Sequence, residues 1–258
     1  MNLRNQTALI TGSGSGIGNA VAVTLAKAGA RVAINDINSE AADAAAASLR
    51  QAGMEALAAP ADITDPQDVS ALVDKVEDAW GQIDILVNNA GICPAGPLVE
   101  CTPEEWDQVF SVNARGVYLC TRAVLPAMQE RKQGAIISIA SNAGKTGEPF
   151  LVPYSASKFA VVGFTQALAR EVAPHKIRVN CVCPAMAETN MMKDLAHLYT
   201  RWRGGSSEEQ EKSFHEEIPW GRMTHPEDVA NAVLFLASSQ SEFFTGQALN
   251  VSGGLEMH

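Results

Sequence analysis

The chain has 258 residues, 47% of them hydrophobic, and carries a formal net charge of −10 at pH 7. That length and apolar content suffice for one sizeable core in a single domain. The acidic balance argues against a nucleic-acid or anionic-membrane surface, because both select for clustered lysine and arginine, so a small-molecule partner is expected.

Taken in chain order, short apolar runs alternate with helical spacing. Strands are expected over residues 7–11, 31–35, 83–88, 135–139 and 177–182, with a last one near 247–251. Helices are expected over 17–28, 39–52, 66–80, 103–131, 155–172 and 226–237. Thr64-Asp65-Pro66 and Thr102-Pro103-Glu104-Glu105 put a capping side chain ahead of an N-terminal proline, and Gly29, Gly53 and Gly81 stand where helices stop. Such alternation predicts a single-domain, Rossmann-type, doubly wound parallel sheet of the α/β class, covered by helices on both faces. Only residues at about 186–218 break the rhythm: they are polar, carry Arg201-Trp202-Arg203-Gly204-Gly205, and read as a helical insertion that serves as a substrate lid.

The opening MNLRNQTALITG is too short and polar for a secretory signal, and no apolar run reaches bilayer length, so a cytoplasmic location is expected. Cys93, Cys101, Cys120, Cys181 and Cys183 are odd in number and lack disulfide or zinc spacing. Cys181 and Cys183 read as small buried residues on one strand face. The five histidines form no metal-binding pair, and no metal site is expected.

Thr11-Gly12-Ser13-Gly14-Ser15-Gly16-Ile17-Gly18 follows the first strand and opens the first helix. Glycines let backbone approach a pyrophosphate, and the helix N-terminus offers free N–H groups to the anion. Asp36 ends the second strand, where a carboxylate accepts hydrogen bonds from ribose hydroxyls and repels a 2′-phosphate. This predicts NAD in preference to NADP. Further on, Tyr154-Ser155-Ala156-Ser157-Lys158 places a phenol and an ammonium four residues apart on one helix face. By itself that spacing is as common as any surface pair.

The ordered set of the glycine loop, Asn88-Asn89-Ala90-Gly91, Asn113, Ser141 and Tyr154-x-x-x-Lys158 resembles the classical short-chain dehydrogenase/reductase family over almost the whole chain. The resemblance implies a catalytic tetrad of Asn113, Ser141, Tyr154 and Lys158. In it Tyr154 is the general acid/base, Lys158 with the positive nicotinamide ring nearby lowers the phenol pKa from its usual value near ~10, Ser141 binds the reacting oxygen and Asn113 anchors a water in a proton relay. It also implies cofactor contacts from Gly12, Ser15, Gly16, Ile17 and Gly18, from Asp62 and Ile63 at the adenine, and from Asn89, Ala90 and Gly91 near the adenosine ribose. Tyr154 and Lys158 are expected at the nicotinamide ribose, with Pro184 and Thr189 beyond. Family members usually carry glycine where this chain has Ala185, and its methyl group threatens the contacts expected of Thr189.

The segment Ser141-Asn142-Ala143-Gly144-Lys145-Thr146-Gly147-Glu148 is similar to that of sugar-alcohol dehydrogenases of the family. Ser141, Asn142, Glu148, Tyr154, Trp202 and Arg203 are therefore candidate substrate contacts, although Glu148 reads equally as a solvent-facing acid. Arg203, like Arg201, reads more readily as a solvated helix charge. Two alternatives stand beside oxidation of a polar secondary alcohol with NAD: a 3-oxoacyl thioester reductase using NADPH, and a catalytically silent nucleotide-binding regulator. The family also commonly forms homotetramers, in which Val161, Phe164 and Leu168 would serve either an interface or the core.

Overall fold

The computed structural model describes residues 1–258. Seven strands, β1 Thr7–Ile10, β2 Arg31–Ile34, β3 Ala56–Ala58, β4 Ile85–Asn88, β5 Gly134–Ile139, β6 Ile177–Pro184 and β7 Ala248–Val251, form one sheet in the order β3-β2-β1-β4-β5-β6-β7. Every pairing is parallel. The helices, in chain order, are α1 Gly16–Lys27, α2 Ser39–Gln51, α3 Pro66–Trp80, α4 Pro103–Phe110, α5 Gly116–Arg131, α6 Val152–Val172, α7 Asn190–Arg203, α8 Ser207–Glu217 and α9 Pro226–Ala237.

Successive strand residues face opposite sides of a sheet. Ala8 and Ile10, Ile85 and Val87, and Ile137 and Ile139 accordingly join α1, α2 and α9 in one core layer. Leu9, Leu86 and Ile136 join α3, α5 and α6 in the other. Burial on both faces explains why these strands read as unbroken apolar runs rather than alternating ones. Leu168 is buried in the second layer and Val161 in a smaller cluster with Val117, Ala140, Cys181 and Cys183, so both belong to the core. Cys181 and Cys183 are fully buried on one face of β6.

Two elements differ from the sequence expectation. β3 was not expected: Ala-Leu-Ala lacks β-branched residues and forms a strand because its backbone completes the edge beside β2. The single helix expected over 103–131 is two, α4 and α5, joined by a π-helical turn, Ser111–Arg115. The polar stretch after β6 folds as α7 and α8, which close a smaller apolar cluster of Leu151, Leu195, Tyr199, Phe214 and Ile218.

The sheet order reverses at β1, whose neighbours are β2 on one side and β4 on the other. Connections leave the carboxyl ends of these two strands in opposite directions, and a crevice opens between them, which is where open α/β sheets hold their ligands.

Candidate active site

A cavity of about 500 Å³ runs along the carboxyl ends of the strands. Its first part is built by the glycine loop. Gly12 has φ +59, and a Cβ there would lie 2.7 Å from Ala90 Cα, so only glycine lets the loop after β1 touch the loop after β4. Gly18 does not line the cavity; a Cβ on it would lie 2.4 Å from both Asn89 Nδ2 and Gly12 O, which makes it the close-packing glycine beneath the loop. Ser15 caps α1 with extended backbone but no side-chain hydrogen bond, leaving the first amides of the helix open. Open amides at a positive dipole end, facing a cradle that a Cβ would fill, suit a pyrophosphate.

Thr11 Oγ1 accepts from Asn89 N at 3.0 Å and Ala90 N at 3.1 Å, while Asn89 Nδ2 donates to Thr11 O at 2.9 Å and Gly12 O at 2.7 Å. The Nδ2 of Asn89 thus braces the loop, while the residue still lines the cavity. Asp36 Oδ2 accepts from Gly14 N and Oδ1 from Asn38 N, both at 3.0 Å, and each oxygen keeps acceptor capacity toward the cavity. Asp62 and Ile63 line the same end, with Asp62 Oδ1 accepting from Thr64 N and Thr64 Oγ1 at 2.8 Å each. Arg31 lies elsewhere, its guanidinium 5.8 Å from the Trp80 ring centroid.

Ser141, Tyr154 and Lys158 line the middle of the cavity. Lys158 is only 4% exposed, its Nζ donating to Ile139 O at 2.8 Å and lying 5.5 Å from the Tyr154 ring centroid. Burial pulls its pKa down to about 8. Burial also pushes the Tyr154 phenol well above its usual range, against a downward pull from hydrogen bonding to Ser141. Desolvation is the largest influence on the phenol, and the hydrogen bond to Ser141 opposes it. Cys93, half-buried near this pair, has its thiol pushed up to about 12 by desolvation.

Asn113 sits in the π-turn, wholly buried and outside the cavity. Its Oδ1 accepts from Ile92 N at 2.9 Å, and its Nδ2 donates to Ile92 O at 2.9 Å and Ser157 Oγ at 3.0 Å. The side chain thus ties the segment after β4 to α6. Gly91 threads between, where a Cβ would lie 3.3 Å from Asn113 Oδ1 and 3.6 Å from Lys158 Nζ.

Pro184, Ala185 and Thr189 line the far wall. Ala185 is not among the residues with positive φ, so its methyl group is accommodated without backbone strain. Thr189 Cγ2 would lie 3.6 Å from a Cβ on Gly16, which puts Thr189 directly across from the glycine loop.

At the other end, Asn142, Glu148 and Arg203 line the cavity, with Asn142 Nδ2 donating to Glu148 Oε1 at 3.2 Å. Trp202 does not. It stacks on Phe150 with ring centroids 6.2 Å apart and packs beneath Gly96, outside the cavity wall. The helical phase of α7 explains the correction, since Tyr199 and Arg203, four residues apart, take the inward face. Arg201 pairs with Glu100 at 3.4 Å on the surface. Sequence reasoning missed Cys93, Leu195, Tyr199, Phe214 and Glu217 as lining residues. Helical spacing marks Leu195 and Tyr199 as one face, but nothing distinguishes Glu217 among the five glutamates of α8.

These features define a nicotinamide-dependent oxidoreductase of the Rossmann class. The chain belongs to the short-chain dehydrogenase/reductase family. A family model described as enoyl-(acyl carrier protein) reductase matches residues 12–256. A hydroxy(phenyl)methylsuccinyl-CoA dehydrogenase subunit from Thauera aromatica is 42% identical over 98% of each chain. Among solved structures, actinorhodin polyketide ketoreductase with NADPH is 40% identical, with a TM-score of 0.95 over 98% of each chain. The 3-ketoacyl-(acyl-carrier-protein) reductase of Brucella melitensis complexed with NADH is 39% identical, with a TM-score of 0.90 over 99% of this chain and 100% of that one. No helix is long and apolar enough to cross a membrane.

Proposed function

We propose that the protein oxidises a secondary alcohol of a polyol, sugar or similar polar hydroxylated molecule with NAD and reduces the matching ketone, with Tyr154 as general acid/base. The observation that carries this reading is one continuous cavity that holds Ser141, Tyr154 and Lys158 in its middle and the glycine loop with Asp36 at one end. A bound nicotinamide dinucleotide supplies the hydride donor or acceptor and, when oxidised, a positive charge. Asp36 accepts from the ribose hydroxyls and disfavours a 2′-phosphate, so NAD is preferred. Ser141 hydrogen-bonds the substrate oxygen and Tyr154 passes it a proton in reduction, a role for which a phenol held protonated is suited. In oxidation Tyr154 takes that proton, and Lys158, fixed on Ile139 O, supplies positive potential to the phenolate. Asn113 is a positioning residue in this scheme, Pro184 and Thr189 hold the cofactor's far side, and α7 with α8 act as the lid. Assembly as a homotetramer belongs to the same reading, supported by Tyr118 and Phe159 left exposed on α5 and α6.

Reduction of a 3-oxoacyl thioester with NADPH is a second reading. The apolar wall of Met192, Leu195 and Phe214 favours it, as do the reductases named among the similar structures. Turnover of sorbitol-like polyols and of an acetoacetyl thioester with each cofactor separates the two. NAD-linked polyol oxidation that disappears in Tyr154→Phe is expected. Activity confined to NADPH and the thioester refutes the first reading, and NADH binding with no turnover on any substrate refutes both in favour of a silent regulator.

A further inference from the structure

The end of the cavity remote from the glycine loop carries more charge than an apolar ketone needs. Glu148 follows β5, Arg203 is the last residue of α7 and Glu217 is the last residue of α8, and all three line the same space with Tyr199. Each is held in place. Glu148 N donates to Ser155 Oγ at 3.2 Å, and its carboxylate accepts from Asn142. The guanidinium of Arg203 lies 4.1 Å from the Tyr199 ring centroid. Glu217 is carried by Phe214 and Ile218, each only 2% exposed, with Phe214 edge-on to Tyr199 at 6.0 Å.

Glu217 also breaks a local rule. The last turn of a helix favours cations, because the unpaired carbonyls there already carry negative potential, yet α8 ends on a glutamate aimed into a half-enclosed space. Glu148 feels it: burial and the charge of Glu217 both raise the Glu148 pKa, against the pull of Arg203 and Asn142. A carboxylate kept against the helix dipole and against a second carboxylate is a cost that packing does not require.

The charge count then decides what fits. Only two cations line the cavity, Lys158 and Arg203. Lys158 is committed to Ile139 O, and Arg203 shares its end of the cavity with two carboxylates, Glu148 and Glu217. A substrate carboxylate arriving here adds a third anion around one cation, with Glu148 half-buried and Glu217 and Arg203 open to solvent at the mouth. A hydroxyl finds acceptors in Glu148 and Glu217 and a donor in Asn142.

We infer that Glu148 and Glu217 form a charge filter that admits substrates neutral at the end remote from the cofactor and rejects their carboxylated counterparts. This rests on the polyol reading above and narrows it from polar hydroxylated molecules in general to uncharged polyols and ketoses. Glu217 is the specificity-determining residue contributed by the lid.

The test compares kcat/KM for NADH-linked reduction of D-fructose and of 5-keto-D-gluconate by the wild type, Glu217→Gln, Glu148→Gln and the double variant. The isosteric glutamines keep the shape, and thermal melting with NADH binding checks the fold of each. Wild type is expected to prefer the neutral ketose. Each single variant raises the relative efficiency toward the acid about tenfold, mainly through KM, as loss of one nearby charge implies. Fructose turnover with a selectivity ratio unchanged in all three variants, or wild-type preference for the acid, overturns the filter and leaves the polyol reading standing. Wild type that reduces neither sugar but turns over an acetoacetyl thioester with NADPH overturns the polyol reading and the filter with it.

Discussion

Replacing Lys158 with methionine should make the cofactor-free protein more stable near neutral pH while removing its activity. The ammonium is 4% exposed and burial lowers its pKa from 10.5 to about 8. A downward shift of that size costs the folded state about 3 kcal/mol when the group is charged. The sign follows from proton counting. Between the two pKa values the unfolded chain binds the proton and the folded chain does not, so stability rises with pH there, and the full cost is present below about pH 8. Methionine fills a similar volume without the charge but leaves Ile139 O without its donor, which returns about 1–3 kcal/mol. The net gain for Lys158→Met at about pH 7 is therefore small, roughly 0–2 kcal/mol. The pH dependence is the sharper readout. Relative to the variant, wild type should gain about 2 kcal/mol between about pH 7.5 and about pH 9.5. Urea denaturation of both proteins across that range, monitored by circular dichroism, measures it. A difference in stability that stays flat over those two units refutes the claim that this lysine is held charged against its burial.

Asp36→Asn keeps the size of the side chain but offers one acceptor oxygen where Gly14 N and Asn38 N now use two. It should shift the ratio of NAD to NADP efficiency toward NADP by about tenfold or more, read from initial rates with each cofactor. Gly18→Ala drives a methyl group to within 2.4 Å of Gly12 O and Asn89 Nδ2. It should destabilise the fold by about 1–3 kcal/mol and abolish NADH binding by fluorescence, and unchanged binding would show that the loop tolerates the shift. Asn113→Ala strands the N–H and carbonyl of Ile92 and should lower stability by about 2–5 kcal/mol in urea melts. Trp202→Ala removes the stack on Phe150 and should raise KM for the alcohol several-fold while leaving the NADH dissociation constant unaltered.

What was legible in the chain was local. The glycine loop, the acid following β2 and the Tyr154 to Lys158 spacing are each set by a few neighbouring residues; Gly12, Ser15, Gly16, Ile17, Asp36, Tyr154 and Lys158 line the cavity, and Gly18 packs directly beneath its loop. The strands could be read because burial on both faces leaves them almost wholly apolar. β3 could not, since Ala-Leu-Ala is drawn into the sheet by the edge of β2 rather than by its own propensity. The π-turn was hidden for a related reason: it goes with side-chain bonds from Asn113 to Ile92 and Ser157, partners 21 and 44 residues away. Tryptophan and arginine were visible side by side in α7, but which of them faces inward depends on how α7 meets Phe150 and α8. Glu217 was hidden because its place as the last residue of α8 shows only once that helix is bounded.

The π-turn also sets a rule of phase for the chain around it. An α-helix advances about 100° per residue, so a turn holding one extra residue rotates all that follows by that much relative to an uninterrupted helix. Trp106 and Phe110 on one side, and Leu119, Cys120 and Val124 on the other, point where they do because of that offset. Straightening that turn at its present length would swing the apolar stripe of α5 off the sheet, whereas deleting one of its residues other than Asn113 would restore regular winding and leave the stripe where it is. What that stretch of chain must preserve is Asn113, whose bonds to Ile92 and Ser157 go with the extra residue.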